Sequence, residues 1–359
     1  MTGEMATGKT TDVIQANKWQ WLAAHLRFTA CQSSPLDFAD TVATCQFCGA
    51  TFPRAGRAVN FIDGEIATEY HIDATDVVSD HPFDENALSI IEQLAASGGM
   101  ILDCGSGLKT VSYPHVIQME IVEYPLVDVL AVNQRLPFVD NSFDAIFSLD
   151  VLEHVDQPFV SAAEIARVLK SGGVLYIDLP FLQHEHGYPH HYFNATRRGL
   201  EQLFRDRLEV VAHLVPRSGQ PIEVAHSVLS AYMNGLPPGQ RERLAAMTVA
   251  ELIGRTVPDW LDDPLVTHLD HDHRWMLAST TQALFRKPIG GDGEDTSQLI
   301  EAHSLPRFAA PEPYVAETVP PAAVPPMTIY HRGKRIARAS AGRAVRRVLR
   351  RLQSHRSHL

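Results

Sequence analysis

The chain has 359 residues, 45% hydrophobic and 20% charged, the make-up of a soluble globular protein. No run approaches the roughly 18 uncharged apolar residues of a membrane span, and the amino terminus lacks the apolar centre of a secretory signal. The net charge of −11 hides a split: ten of the 31 basic residues lie in 331–359, where Asp and Glu are absent, leaving 21 basic against 42 acidic residues before it.

In chain order, 1–30 reads as a helical segment, since NKWQWLAAHL is apolar on one face. Residues 31–65 form a small module with Cys31, Cys45 and Cys48, turn residues and an apolar strand, AVNFI. DENALSIIEQLAAS follows, with Leu88, Ile91 and Leu94 at helical spacing and Gly98-Gly99 as a stop. Then come apolar strands at 100–104, 116–120, 127–132, 143–149, 174–179 and 208–215, with 282–287 as the last, and helices at 158–169 and 196–204. Such alternation implies a parallel α/β sheet over 80–287. Residues 217–274 read as a helical insert, 288–330 as a Pro/Ala-rich linker, and 331–359 as a basic amphipathic tail.

Asp103-Cys104-Gly105-Ser106-Gly107 ends the first core strand, where glycines let the backbone approach a nucleotide-like ligand closely. Glu120 ends the second, where a carboxylate can accept ribose hydroxyls. Leu136-Pro137-Phe138 precedes the fourth strand, which runs out at Asp150-Val151-Leu152-Glu153-His154. The next strand is followed by a loop with His184, His186, His190 and His191, where substrate is expected and where imidazoles suit a general base near neutral pH.

LDCGSG, RLPFVDNSFDAIFSLDVLEHV and EIARVLKSGG together resemble the class I S-adenosylmethionine-dependent methyltransferases, in the group with an LPF…FD…LEH…RVLKPGG pattern. The resemblance implies a Rossmann-like seven-stranded, mostly parallel sheet with the last strand antiparallel. It implies S-adenosyl-L-methionine over the strand ends, with Asp103, Gly105 and Gly107 at the methionine part, Glu120 at the ribose, Leu136 near the adenine and Asp150 in the same crevice. His186, His190 and His191 become the catalytic candidates.

Asp150, Glu153, His154 and His191 further resemble the divalent-metal set of small-RNA terminal ribose methyltransferases and of some ubiquinone-pathway O-methyltransferases. In relatives that lack a metal, the Leu-Glu-His run is structural. Cys31, Cys45 and Cys48 resemble a degenerate zinc ribbon: Ser34 stands where a fourth cysteine would, His25 or Asp37 are stand-ins, and a vestige held by packing is the other reading. The run from His268 to His273 reads as a solvated loop.

The sequence departs from the family at Lys109, where a third glycine is common, and at Val132, where an acid is common. The first crossovers are also shortened: eight residues (108–115) and six (121–126) cannot hold the usual helix. One sheet face therefore needs cover from a docked N-terminal module or a homodimer. The leading expectation is O-methylation of a small molecule, sugar or lipid-linked glycan by a cytoplasmic protein, peripheral at an anionic membrane if the tail engages one. Metal-assisted ribose methylation of RNA and a non-catalytic interaction protein are the alternatives; the acidic body argues against nucleic acid.

Overall fold

The computed structural model describes residues 4–27, 31, 36–55, 57–72, 79–187 and 190–279, the side chains of 4–13 and Ala55 excepted. The linker, the tail and the strand expected at 282–287 lie outside the described residues. Helix α1 (Glu4–His25) leads into an antiparallel ribbon, β1 (Leu36–Phe38), β2 (Val42–Cys45) and β3 (Thr51–Ala55), and then β4 (Ala58–Asn60). Helices α2 (Gly64–Glu69) and α3 (Glu85–Ser97) precede the core strands β5 (Ile101–Cys104), β6 (Val116–Glu120), β7 (Val129–Leu130) and β8 (Phe143–Leu149). Helix α4 (Pro158–Val168), β9 (Leu169–Asp178) and α5 (Arg197–Leu203) complete the αβ alternation. Helices α6 (Pro221–Asn234), α7 (Pro238–Ala246), α8 (Val249–Ile253), α9 (Val257–Trp260), α10 (Pro264–Thr267) and α11 (His271–Met276) follow.

The strand order is β1-β2-β3-β4-β7-β6-β5-β8-β9. From β4 to β9 every pairing is parallel, with β5 central between β6 and β8. This is a Rossmann-like α/β sheet, and its chain reversal around β5 places a crevice at the carboxyl ends of β5 and β8. Two expectations change. The antiparallel strands seen are amino-terminal, because β4 joins the edge beside β7 through Val59↔Val129 and carries the ribbon with it. Residues 208–215 form no strand; Val210, Val211, Leu214 and Val215 are each more than half exposed. Apolar alternation does not make a strand without a neighbour to pair with.

Helix α3 starts where the Asp84 side chain accepts from Ala87 N and stops at Gly98 in the left-handed conformation. It packs Ala87, Ile90 and Ile91 on one sheet face, against Ile101, Val116, Ala145 and Phe147. The opposite face joins α1 and α4: Leu22 and Leu26 fall in one cluster with Leu102, Ile117, Met119, Val129, Ile146 and Ile165. The missing crossover helices are thus replaced by the chain's own N-terminal module, so the sheet needs no second subunit to cover this face. Backbone bonds seal the join, Arg27 N to Pro137 O (3.1 Å) and Val139 N to His25 O (2.9 Å). Beneath α1, Lys18 Nζ reaches Asp128 Oδ2 at 2.8 Å with both side chains fully buried, and Arg57 meets the other oxygen at 2.6 Å. Burial holds Lys18 below the usual lysine range while Asp128 pulls it back up.

Candidate active site

The turn after β5 is built from two residues that only glycine fills without strain. Gly105 (φ 69°) and Gly107 (φ 62°) are left-handed, and an added Cβ would come within 2.6 Å of Val151 Cγ2 and of Ser79 O respectively. Asp103, at the end of β5, is 2% exposed, and its Oδ2 has no hydrogen-bond partner. Burial pushes its carboxyl up to about 7, against the pull of Lys109, with Glu120 adding to the rise. Lys109 is pinned across the turn, its Nζ 2.9 Å from His81 O and 4.8 Å from the centre of the Phe83 ring. The lysine at the expected third-glycine position thus ties the turn to the segment leading into α3.

Glu120, at the end of β6, is already engaged with the backbone. Its carboxylate accepts from Gly107 N (2.8 Å) and Ile121 N (2.7 Å), so two of its roughly four acceptor positions already brace the turn. Leu136 has its side chain fully buried in the core. Its backbone is clamped instead, its N donating to Glu164 Oε2 (2.9 Å) and its O accepting from Arg167 Nη2 (3.0 Å). Arg167 also reaches Phe138 O and Asp140. The Leu-Pro-Phe run and the Glu164…Arg167 pair are therefore one structural clasp between the loop and α4.

At the end of β8, Asp150 takes a left-handed conformation (φ 54°), unusual for a residue with a Cβ. Glu153 follows in a short 3-10 turn, fully buried, with neither carboxylate oxygen hydrogen-bonded. Burial pushes it up to about 9, with Asp150 and Asp178 adding to the rise. Asp178, closing β9, is pushed up to about 6 by burial and by Asp150. The sequence reading missed Asp178; its signal is an acid at the carboxyl end of a core strand. His154 is driven down to about 4 by burial, opposed by its bond to His190 O.

The metal set expected at Asp150, Glu153, His154 and His191 is rearranged. The ligand atoms of Glu153, His154 and His186 lie within 4.8 Å of one another, without Asp150 or His191. His191 is withdrawn because its Nδ1 accepts from His186 N (3.2 Å) and its Nε2 meets Asn194 Oδ1 (2.7 Å). Meanwhile His154 Nδ1 meets His190 O (2.7 Å) and His186 Nδ1 meets His184 O (3.0 Å). A carbonyl only accepts, so in both rings Nδ1 carries the proton and Nε2 the lone pair. His186 and His191 pack edge-on with ring centres 4.3 Å apart, while the His190 ring lies against Tyr192. Of the three catalytic candidates, His186 and His191 line this pocket, and His190 contributes its carbonyl.

Elsewhere, a cavity of about 310 Å³ lined by Trp21, Met100, His115 and Lys170 sits at the amino ends of the strands, away from these groups. The run from His268 to His273 is not a loop throughout: Asp270 caps α11, accepting from His273 N and pairing with His273 Nδ1. Cys31, Cys45 and Cys48 lie together within 4.8 Å, and neither His25 nor Asp37 is of the group. His25 Nδ1 bonds Trp21 O, and Asp37 accepts from Gln46.

A methyltransferase-domain family model matches residues 104–177. An uncharacterized methyltransferase of Mycobacterium tuberculosis is 38% identical over 72 residues, 19% of this chain and 28% of that protein. One from Mycobacteroides abscessus is 39% identical over 72 residues, 19% of this chain and 27% of its own length. The chain thus spans little more than a quarter of the curated relatives it matches. Among solved structures, the YcgJ protein of Bacillus subtilis overlaps 44% of this chain and 88% of its own at 16% identity, with a TM-score of 0.30. Phosphoethanolamine N-methyltransferase 2 of Haemonchus contortus, solved with S-adenosyl-L-methionine, overlaps 47% of this chain and 43% of its own at 18% identity, TM-score 0.26. The glycine turn after β5 and the acid-rich end of β8 both lie inside the stretch that matches the methyltransferase-domain model, so it is residues 104–177 that are similar to a methyltransferase domain.

Proposed function

We propose that the chain methylates a hydroxyl of a small molecule, sugar or lipid-linked glycan, using S-adenosyl-L-methionine bound over the carboxyl ends of β5 and β6. The observation that carries this is Asp103 Oδ2, a buried carboxylate oxygen without a partner beside two left-handed glycines. Leaving such an atom unsatisfied is costly, and the cationic amino group of this cofactor's methionine part is the kind of donor it lacks. The residues present fit the cofactor: Asp103 would hold that amino group, the turn at Gly105 and Gly107 gives the backbone close approach, and Glu120 retains acceptor positions for ribose hydroxyls. When bound, the cofactor supplies a methyl group already activated by its sulfonium.

The protein's share is to orient the acceptor, exclude water and take a proton. The cluster of Glu153, His154 and His186, with His191 packed against it, lies where β8 and β9 end. His186 and His154 present Nε2 lone pairs, and burial, which holds His154 at about 4, makes His154 a weak base. His191 and Asn194 fix the loop that carries His186. The acidic body supports an acceptor other than nucleic acid. The homodimer and the membrane contact through the tail remain part of this proposal: gel filtration reads the first, and liposome sedimentation with and without 331–359 the second.

A specific observation favours a second reading, a divalent metal at Glu153, His154 and His186. Both imidazoles give their Nδ1 proton to backbone carbonyls, the arrangement that orients histidine ligands, and the Glu153 oxygens accept no hydrogen bond. A metal there would hold the acceptor hydroxyl and lower its pKa. Calorimetry with adenosylhomocysteine tests the main reading: micromolar or tighter binding is expected, and no binding turns the chain into a non-catalytic interaction protein. Glu153→Ala with metal content and turnover both unchanged would end the second reading.

A further inference from the structure

Cys31, Cys45 and Cys48 play no part in the methyl-transfer site, yet the fold brings them together from separate elements. Cys45 closes β2 and Cys48 lies in the tight turn before β3, while Cys31 lies between α1 and β1. The sulfurs of Cys31 and Cys45 are 3.6 Å apart, and all three lie within 4.8 Å. Tetrahedral zinc–thiolate bonds of about 2.3 Å place sulfurs about 3.8 Å apart, so the trio is spaced as three corners of such a cage.

Backbone donors of the turn face two of the three sulfurs. The N–H groups of Phe47 and Cys48 point at the Cys45 sulfur, and that of Ala50 at the Cys48 sulfur. The turn closes through Gly49, left-handed at φ 75°, with Gly49 N bonded to Cys45 O (2.9 Å) and Cys45 N to Ala50 O (2.8 Å). Three sulfurs gathered from separate elements at this spacing form the kind of donor set that zinc takes. No disulfide joins any of the four cysteines.

We propose that Cys31, Cys45 and Cys48 bind one zinc ion, with water as the fourth ligand, and that this ion clasps the exit of α1 to the β2–β3 turn. The consequence reaches the sheet. Helix α1 is the cover over β6 and β7 that the short crossovers fail to supply, and the clasp fixes its carboxyl end. Cys45 also sits in the core cluster that contains Leu22 and Leu26, so the ion anchors one continuous body.

Full-length chain purified without chelators is assayed for metal and for thiols. The expected result is one zinc per chain, released by a mercurial in step with three cysteines. Replacing it with Co²⁺ should give the intense near-ultraviolet band of sulfur-to-cobalt charge transfer. Cys48→Ser is the main variant, because Cys48 is exposed and its loss leaves no core cavity; it should lower zinc occupancy at least tenfold while circular dichroism stays that of the parent. Cys104→Ser, outside the trio, should keep the zinc. A chain without zinc that also gives no cobalt band overturns the proposal, as does a Cys31–Cys45 disulfide in protein prepared under reducing conditions. Zinc retained in Cys48→Ser at full occupancy overturns it too.

Discussion

Two regions bury carboxylates in opposite ways. Under α1, Asp128 is fully enclosed and fully answered: Lys18 and Arg57 meet its two oxygens, and Gln118 N adds a third bond at 3.0 Å. At the carboxyl ends of β5 and β8, Asp103 and Glu153 are as deeply buried, yet Asp103 Oδ2 and both Glu153 oxygens accept no hydrogen bond, the nearest contact to Glu153 Oε1 being His154 Nε2 at 3.9 Å. The first arrangement holds the molecule together. The second costs folding energy, and a native structure that keeps such groups needs a reason outside the fold. The difference separates a structural acid from one kept for a ligand, although both are aspartate or glutamate at strand ends.

The comparison breaks most visibly at Asp128. Asp128→Ala leaves the Lys18 ammonium buried without its counter-charge, and removing one partner of a buried pair costs about 3–5 kcal/mol. The urea midpoint should fall accordingly. The double variant Lys18→Met, Asp128→Leu should recover most of the loss, since apolar replacements of a buried pair are often neutral. A cost below about 1 kcal/mol for Asp128→Ala would mean that the seam under α1 is wet and does not hold the helix.

At Asp103 the expected effect moves from stability to binding. Asp103→Asn should weaken adenosylhomocysteine roughly ten- to hundredfold, the worth of a hydrogen bond to a charged group at about 1.5–3 kcal/mol. The fold should not suffer, because burial already holds the wild-type acid at about 7. A cationic amino group requires the carboxylate, so wild-type affinity should decline as pH drops below about 7, while Asp103→Asn stays flat there. Calorimetry across that range decides; parallel curves for the two proteins would remove Asp103 from the binding site.

The same contrast shows what sequence reasoning reaches. Strands β6 and β8 stand where their apolar runs predict, because a buried parallel strand must be apolar on both faces. The missing cover over β6 and β7 was legible from eight- and six-residue crossovers, since length alone forbids a helix there. The partner of β7 was not: that β4 pairs beside it in parallel is a long-range choice, unmarked in the sequence of either strand. In the site, Glu153 and His154 are read from adjacent positions on a strand end. The exchange of His191 for His186 is invisible because one backbone bond, His186 N to His191 Nδ1, settles which ring faces inward. Asp178 escaped because its importance comes from Asp150 and Glu153 across the sheet.

The smallest expected effect is at Glu153, and its sign is opposite to the familiar one for acids. An ion-paired carboxylate has a lowered pKa and stabilises as pH rises. Burial instead pushes Glu153 up to about 9 from the usual 4.5 of a glutamate, so the folded chain keeps a proton that the unfolded chain releases. Between those values the folded state binds more protons, and stability must fall as pH increases; it is greatest below the unfolded pKa. Glu153→Gln mimics the protonated acid and removes this titration. Its thermal midpoint should decline less steeply than the wild type's between about pH 5 and 9. Mn²⁺ reverses the wild-type trend if the pocket takes a metal, since a cation favours the carboxylate, and it should raise the wild-type midpoint but not that of the variant. Identical slopes without metal would show that Glu153 is already charged and solvated, and that the pocket is more open than its burial implies.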